Sequence, residues 1–235
     1  PTSVSSTVKL YHEDNFARAA QLTMVWPTSE QFSKDSYALQ YLAQLLSQGK
    51  KAPIYQILEK EKKLTSRQYA YNGAQEITGE FTISVTANEG VSLNDVEKSI
   101  FEAFARFEEK GITDDDLQRI KASLETDFYN GISSVLGKSF QLAFYNEYAG
   151  NPAFYKNDID GLKSVTKEDI VRVYNKYIKD KPYVAASFVP KGQINLIAEG
   201  SVKADIKEED ILNATEVKIE EVEEKKEEAE EEKVE

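Results

Sequence analysis

Ala20-Gln21-Leu22-Thr23-Met24-Val25-Trp26-Pro27 alternates apolar and polar side chains as a strand with one buried face does, and proline stops it. Thr28 and Ser29 then stand where helix caps belong. Beyond them Tyr37, Ala38, Tyr41, Leu42, Leu45 and Leu46 recur at three- and four-residue spacing, which predicts an amphipathic helix ending near Gly49. Pro53 suits the first turn of a second helix with Ile54, Ile57 and Leu58 on one face. A strand feeding a pair of helices is the unit from which the rest of the chain is read.

Upstream, Ser3 to Tyr11 is a second run with loose alternation, and the polar His12-Glu13-Asp14-Asn15 reads as the loop between the two strands. Downstream, Arg67 to Tyr71 and Glu80 to Asn88 predict a strand pair, with Phe81, Ile83 and Val85 facing one way and Thr82, Ser84 and Thr86 the other. Ser92 caps a helix whose Val96, Ile100, Phe101, Phe104 and Phe107 form a stripe up to Lys110-Gly111. Thr113-Asp114-Asp115-Asp116 opens another, with its carboxylates where a helix N-terminus favours them. Further helices are predicted over Ser139 to Tyr148, Asp158 to Ser164 and Thr166 to Ile178, the last behind the capping sequence Thr166-Lys167-Glu168-Asp169, and a final strand over Tyr183 to Val189. The order predicts an α+β fold, an antiparallel-rich mixed sheet with helices packed on one face.

Composition bounds the function. The 235 residues are 40% apolar and 11% aromatic, enough for one domain with its own core. The formal charge of −12 is uneven: residues 207–235 hold 14 acidic and 5 basic side chains, a net of −9, which leaves −3 for residues 1–206. The expected division is therefore a domain over 1–206 and an acidic tail or interdomain linker over 207–235. Nothing in this balance attracts phosphates, so nucleic acid and anionic membrane surfaces are poor partners, and no apolar run approaches the roughly 20 residues needed to cross a bilayer. The absence of cysteine excludes disulfides, thiolate metal sites and cysteine nucleophiles, and leaves the compartment open. The chain starts at Pro1 and its single methionine is Met24, so the start reads as a processed end or a piece of a longer chain.

Gln21 to Pro27, together with Tyr41-Leu42-Ala43-Gln44-Leu45-Leu46-Ser47-Gln48-Gly49-Lys50-Lys51-Ala52-Pro53-Ile54-Tyr55-Gln56-Ile57-Leu58, resembles the second domain of the insulinase, pitrilysin and mitochondrial processing peptidase family of zinc metallopeptidases. Gly79-Glu80-Phe81, Lys110-Gly111-Ile112-Thr113, Leu117 to Lys121 and Val165 to Ile170 follow in the family's order, so the likeness spans about Ala17 to Lys191. The resemblance implies a sheet-and-helix domain that pairs with a companion zinc-bearing peptidase domain, braces it, and forms part of the wall of a chamber for peptide substrates. It also implies that the acidic stretch links the two halves of a longer enzyme. In long members the fourth domain carries an arginine and a tyrosine that assist substrate; the matching places here hold Glu59 and Ser66, which points to the second domain of the first half.

Catalysis by this chain alone is not expected, and no catalytic or metal residue is assigned. The family's zinc site needs His-x-x-Glu-His, and His12 is the only histidine, so zinc is expected in the companion domain. The same scarcity leaves Ser133-Ser134 without a base, and capping explains them, as it does Asp114 to Asp116. Gly131 to Gly137-Lys138-Ser139 resembles a phosphate loop, but five residues separate its glycines where four are needed. Most of the 13 tyrosines and 11 phenylalanines sit at core positions; Tyr145, Tyr148, Phe154 and Tyr155 are the least periodic and are the candidates for contact with a partner domain. Two other readings stay open: a structural subunit of the same fold with no proteolytic partner, and an interaction module whose acidic tail recruits a basic protein.

Overall fold

The computed structural model describes residues 3–206, of which 3–203 form one compact unit. Six strands, β1 (Val8–Asp14), β2 (Gln21–Thr28), β3 (Thr65–Ala74), β4 (Gly79–Ala87), β5 (Val184–Pro190) and β6 (Val202–Lys203), lie in the order β3-β4-β2-β5-β1-β6. The pairs β3/β4, β4/β2 and β2/β5 are antiparallel, while β5/β1 and β1/β6 are parallel. The fold is the α+β mixed sheet the element order implied, and the parallel pairs exist because the last strand returns after a long helical excursion.

Register decides which side chains meet. Leu22, Met24 and Trp26 of β2 lie opposite Val85, Ile83 and Phe81 of β4, and all six are fully buried. This is the face on which α1 (Lys34–Ser47) and α2 (Leu93–Lys110) pack, with Tyr41, Leu42, Leu46, Val96, Ile100 and Phe104 completing the core. The strand runs through Pro27 to Thr28 rather than stopping at the proline. β5 leaves β2 after Val25, so the missing N–H falls beyond the stretch that β2 shares with both neighbours.

Helix ends follow local chemistry closely. Ser92, Thr113 and Thr166 each accept a hydrogen bond from a backbone N–H of the first turn, and Thr166 with Asp169 forms a reciprocal capping box before α6 (Lys167–Val173). The cap of α1 is Ser33, which accepts from the Ser36 N–H, and not Thr28 or Ser29. Thr28 is still in β2 and donates its hydroxyl to Asn72, a partner 44 residues away that overrides the local signal. The segment after Pro53 winds as a wider π-helical turn over Tyr55–Glu61, and α6 relaxes likewise over Tyr174–Ile178.

His12 is the main departure from the sequence reading. It lies inside β1, opposite Phe188, and not in a loop. The polar run His12-Glu13-Asp14 is tolerated in a strand because β1 has only the two-residue β6 on its far side, so these side chains reach solvent. The remaining helices are α3 (Asp114–Gly131), α4 (Val135–Ala149) and α5 (Tyr155–Lys163). The Gly131 to Gly137 segment is the break between α3 and α4, with Ser134 capping α4 by accepting from the Gly137 N–H and Ser133 donating to the Asn130 carbonyl.

Candidate interaction surface

No group of three or more histidine, cysteine or acidic side chains placed to hold a metal occurs among the described residues. His12, the only histidine, meets the Phe188 ring edge-on at 6.3 Å between centroids. Asp116 is tied to its own helix: its carboxylate accepts from the Thr113 hydroxyl at 2.7 Å and Arg119 stands at 3.8 Å. A single histidine beside a ring does not fit a catalytic zinc among the described residues, and two surfaces remain as candidates for interaction.

The first surface is the sheet face opposite the core. The register that buries Leu22 and Met24 turns Val8, Leu10 and His12 of β1, Val184, Ala186 and Phe188 of β5, and Gln21, Thr23 and Val25 of β2 to the other side. Thr82, Ser84 and Thr86 of β4 and Arg67, Tyr69 and Tyr71 of β3 continue it. Among the described residues no helix packs on this face. It divides into an apolar half on β5, β1 and β6, where Val8, Phe188 and Val202 are exposed, and a polar half on β2, β4 and β3. In the polar half, hydrogen bonds run from the Gln21 side-chain amide to the Ser84 hydroxyl and between the Thr23 and Ser84 hydroxyls, while the buried Thr82 hydroxyl has no partner among the described residues. At its edge Tyr69 and Tyr71 stack at 6.1 Å and stay half-exposed.

The second surface is α4. Its side chains divide sharply. Tyr145 is fully buried and its hydroxyl donates to Asp158 at 2.6 Å; the Tyr37 hydroxyl donates to the other oxygen of the same carboxylate at 2.7 Å. Burial pushes both tyrosine hydroxyls above their ordinary range, and the hydrogen bonds to Asp158 push them further. Phe32, held at a φ of 62°, packs its ring against Phe144, Tyr145 and Phe154. Tyr145 therefore points into the domain, Phe154 is half-buried beside it, and Tyr148 and Tyr155 remain exposed. The sequence reading missed the larger part of this surface. Val135, Leu136, Phe140, Leu142 and Phe144 all point to solvent. The available signal was charge: Lys138 and Glu147 are the only ionised side chains in α4.

Asp35 marks a structural and not a functional cluster. Burial alone raises its pKa, but hydrogen bonds from Lys176, Tyr177 and Arg172 outweigh that and hold it at about 2. It clamps the start of α1 to the end of α6.

Comparison with known proteins identifies the family and the fold. The sequence profile of the peptidase M16 inactive domain matches residues 3–124. The zinc protease PqqE of Helicobacter pylori is 27% identical over 154 residues, covering 63% of this chain. This chain spans only 33% of that protein's length. Among solved structures, a protease from Helicobacter pylori superposes with a TM-score of 0.68 at 20% identity, over 77% of this chain and 44% of that one. An inactive peptidase domain from Bordetella parapertussis superposes with a TM-score of 0.64 at 14% identity, over 75% of this chain and 96% of that one. At these identities the structures attest the fold alone.

Proposed function

Because the chain belongs to the peptidase M16 inactive-domain family, we propose that it braces a companion zinc-bearing peptidase domain and supplies part of the wall of the chamber that receives peptides. The domain itself is of the inactive kind, so hydrolysis belongs to the assembly and zinc to the companion. The observation that carries the reading is the uncovered sheet face. A sheet of six strands whose second face has no helix among the described residues, yet carries Val8, Leu10, Val184, Phe188 and Val202, presents apolar surface that a companion would cover. The adjoining half, with Gln21, Thr23, Thr86 and Arg67, offers hydrogen-bonding groups suited to an extended peptide. Residues 207–235, net −9, are the proposed connection to further domains. They lie outside the described residues.

The test is a fluorogenic peptide assay on this chain, on the full-length protein, and on the full-length protein with Phe188→Glu. The expected pattern is no cleavage by the chain alone, chelator-sensitive cleavage by the full-length protein, and reduced cleavage by the variant. Chelator-sensitive cleavage by the chain alone would overturn the reading. A full-length protein that binds no zinc and cleaves nothing would instead favour the structural-subunit alternative.

A further inference from the structure

Resting on the companion-domain reading, we propose that the exposed apolar side of α4 is a second docking surface for that companion, in addition to the sheet face. One stripe of α4 attaches it to its own domain: Gly137, Gln141, Tyr145 and Ala149, spaced by four, are its only residues that are not exposed. The others are exposed, and six of them are large and apolar. Val135 is 83% exposed, Leu136 67% and Phe140 70%, while Leu142, Phe144 and Tyr148 are exposed by 48%, 39% and 45%. Leu136, Phe140, Phe144 and Tyr148 also recur every four residues, so they form one continuous row, while Val135 and Leu142 fall on the far side of the inward stripe. The Phe144 and Tyr148 rings already touch at 4.9 Å between centroids.

Magnitude separates this patch from ordinary scattered exposure. With fully exposed side chains of this size presenting on the order of 150–250 Å² each, the four of the row leave on the order of 400 Å² of surface uncovered. That is about half of the roughly 800 Å² which one partner contributes to a standard interface, in one contiguous apolar row. Two charges in fifteen residues contrast with 30% charged residues in the chain as a whole. A helix that is apolar on nearly every side is one that is normally buried on nearly every side.

The occupant follows from what surrounds the patch. The related proteins extend well beyond the matched region, since this chain spans 33% of one and 44% of another. A domain in the same polypeptide meets α4 at a high effective concentration, which favours it over a separate protein. A membrane surface is disfavoured by charge: α4 offers only Lys138 where an interfacial helix carries a basic polar face, and the chain is acidic overall. An extended peptide is disfavoured by shape, because the row lies on the convex side of a helix.

The test uses the absence of cysteine in this chain. Phe140→Cys and, as a control, Ile77→Cys are introduced separately into the full-length protein and into the chain alone, and maleimide labelling rates are read by peptide mapping. Ile77 is 79% exposed in the turn between β3 and β4, and Phe140 is 70% exposed, so neither substitution removes a core contact. Phe140→Cys should label at least about tenfold more slowly in the full-length protein than in the chain alone, while Ile77→Cys labels at similar rates in both. Equal labelling of Phe140→Cys in both, in a sample that holds zinc and cleaves peptide, refutes the docking role of α4 and leaves the companion reading intact. Absence of zinc and cleavage defeats that underlying reading instead. Slow labelling that becomes fast on dilution identifies a second copy as the occupant, and refutes the proposal too.

Discussion

Gly161→Ala is the perturbation on which the structure and helix propensity disagree most plainly. Gly161 lies within α5, and alanine in a helix interior is favoured over glycine by about 1 kcal/mol, so propensity alone forecasts a more stable protein. The packing forecasts the reverse. A Cβ at this position would stand 2.8 Å from Tyr37 Cζ and 3.1 Å from Cδ2, closer than carbon atoms approach without one of them moving. Tyr37 has little freedom to move, because it is 7% exposed and its hydroxyl is committed to Asp158. Overpacking of this kind costs about 1–3 kcal/mol, and loosening a hydrogen bond to a carboxylate adds about 1.5–3 kcal/mol if it is lost outright. Set against the 1 kcal/mol gain, a net destabilisation of about 2 kcal/mol is expected, or a fall in Tm of roughly 4–8 °C for a domain of this size. The assay is urea denaturation followed by circular dichroism, with Tyr37→Leu and the double variant completing a cycle. The clash should be relieved in the double variant, so the two effects should be less than additive. A Gly161→Ala protein as stable as the parent would refute the reasoning.

Two further perturbations test the packing elsewhere. Asp35 has its pKa lowered from 3.8 to about 2, so it contributes stability above pH 4 that is lost as pH falls toward 2. The shift corresponds to roughly 2.4 kcal/mol at most, and since Arg172 and Lys176 are 42% and 56% exposed, screening brings the expected figure to about 1 kcal/mol. Asp35→Asn should therefore be less stable at pH 7, with the gap from the parent shrinking to a small fraction as pH falls through about 2; a difference that stays undiminished in acid contradicts the assignment. Glu97 is buried, with Lys9 at 2.6 Å and the Tyr183 hydroxyl at 2.7 Å. Glu97→Ala leaves both without their acceptor, and because Lys9 keeps some access to water the cost should sit near about 3 kcal/mol. Glu97→Gln, which keeps an acceptor for Tyr183, should lose less; a shift below about 1 kcal/mol in the alanine variant by urea midpoint argues against the buried pair.

The sequence by itself determined whatever depends on neighbours along the chain. Alternation in Leu22, Met24 and Trp26, the stripe from Val96 to Phe107, and the caps at Ser92, Thr113 and Thr166 all rest on period, φ preference and hydrogen bonds spanning two or three residues. The lone histidine likewise excluded a histidine-paired zinc site without any coordinates. Tertiary structure decided the rest, for a reason common to each case. His12 is in a strand because residues 184–190 arrive beside it, and Thr28 is held by Asn72 in place of a helix N-terminus. In α4 the apolar residues surround the axis, so periodicity defines no inner side. Tyr145 turns inward only because Phe32, Phe154 and Asp158 are brought there, and that choice leaves Leu136, Phe140 and Phe144 outside. A side chain's periodicity states that it has an inner and an outer side; which one is buried depends on residues a hundred positions away, and no local pattern carries that information.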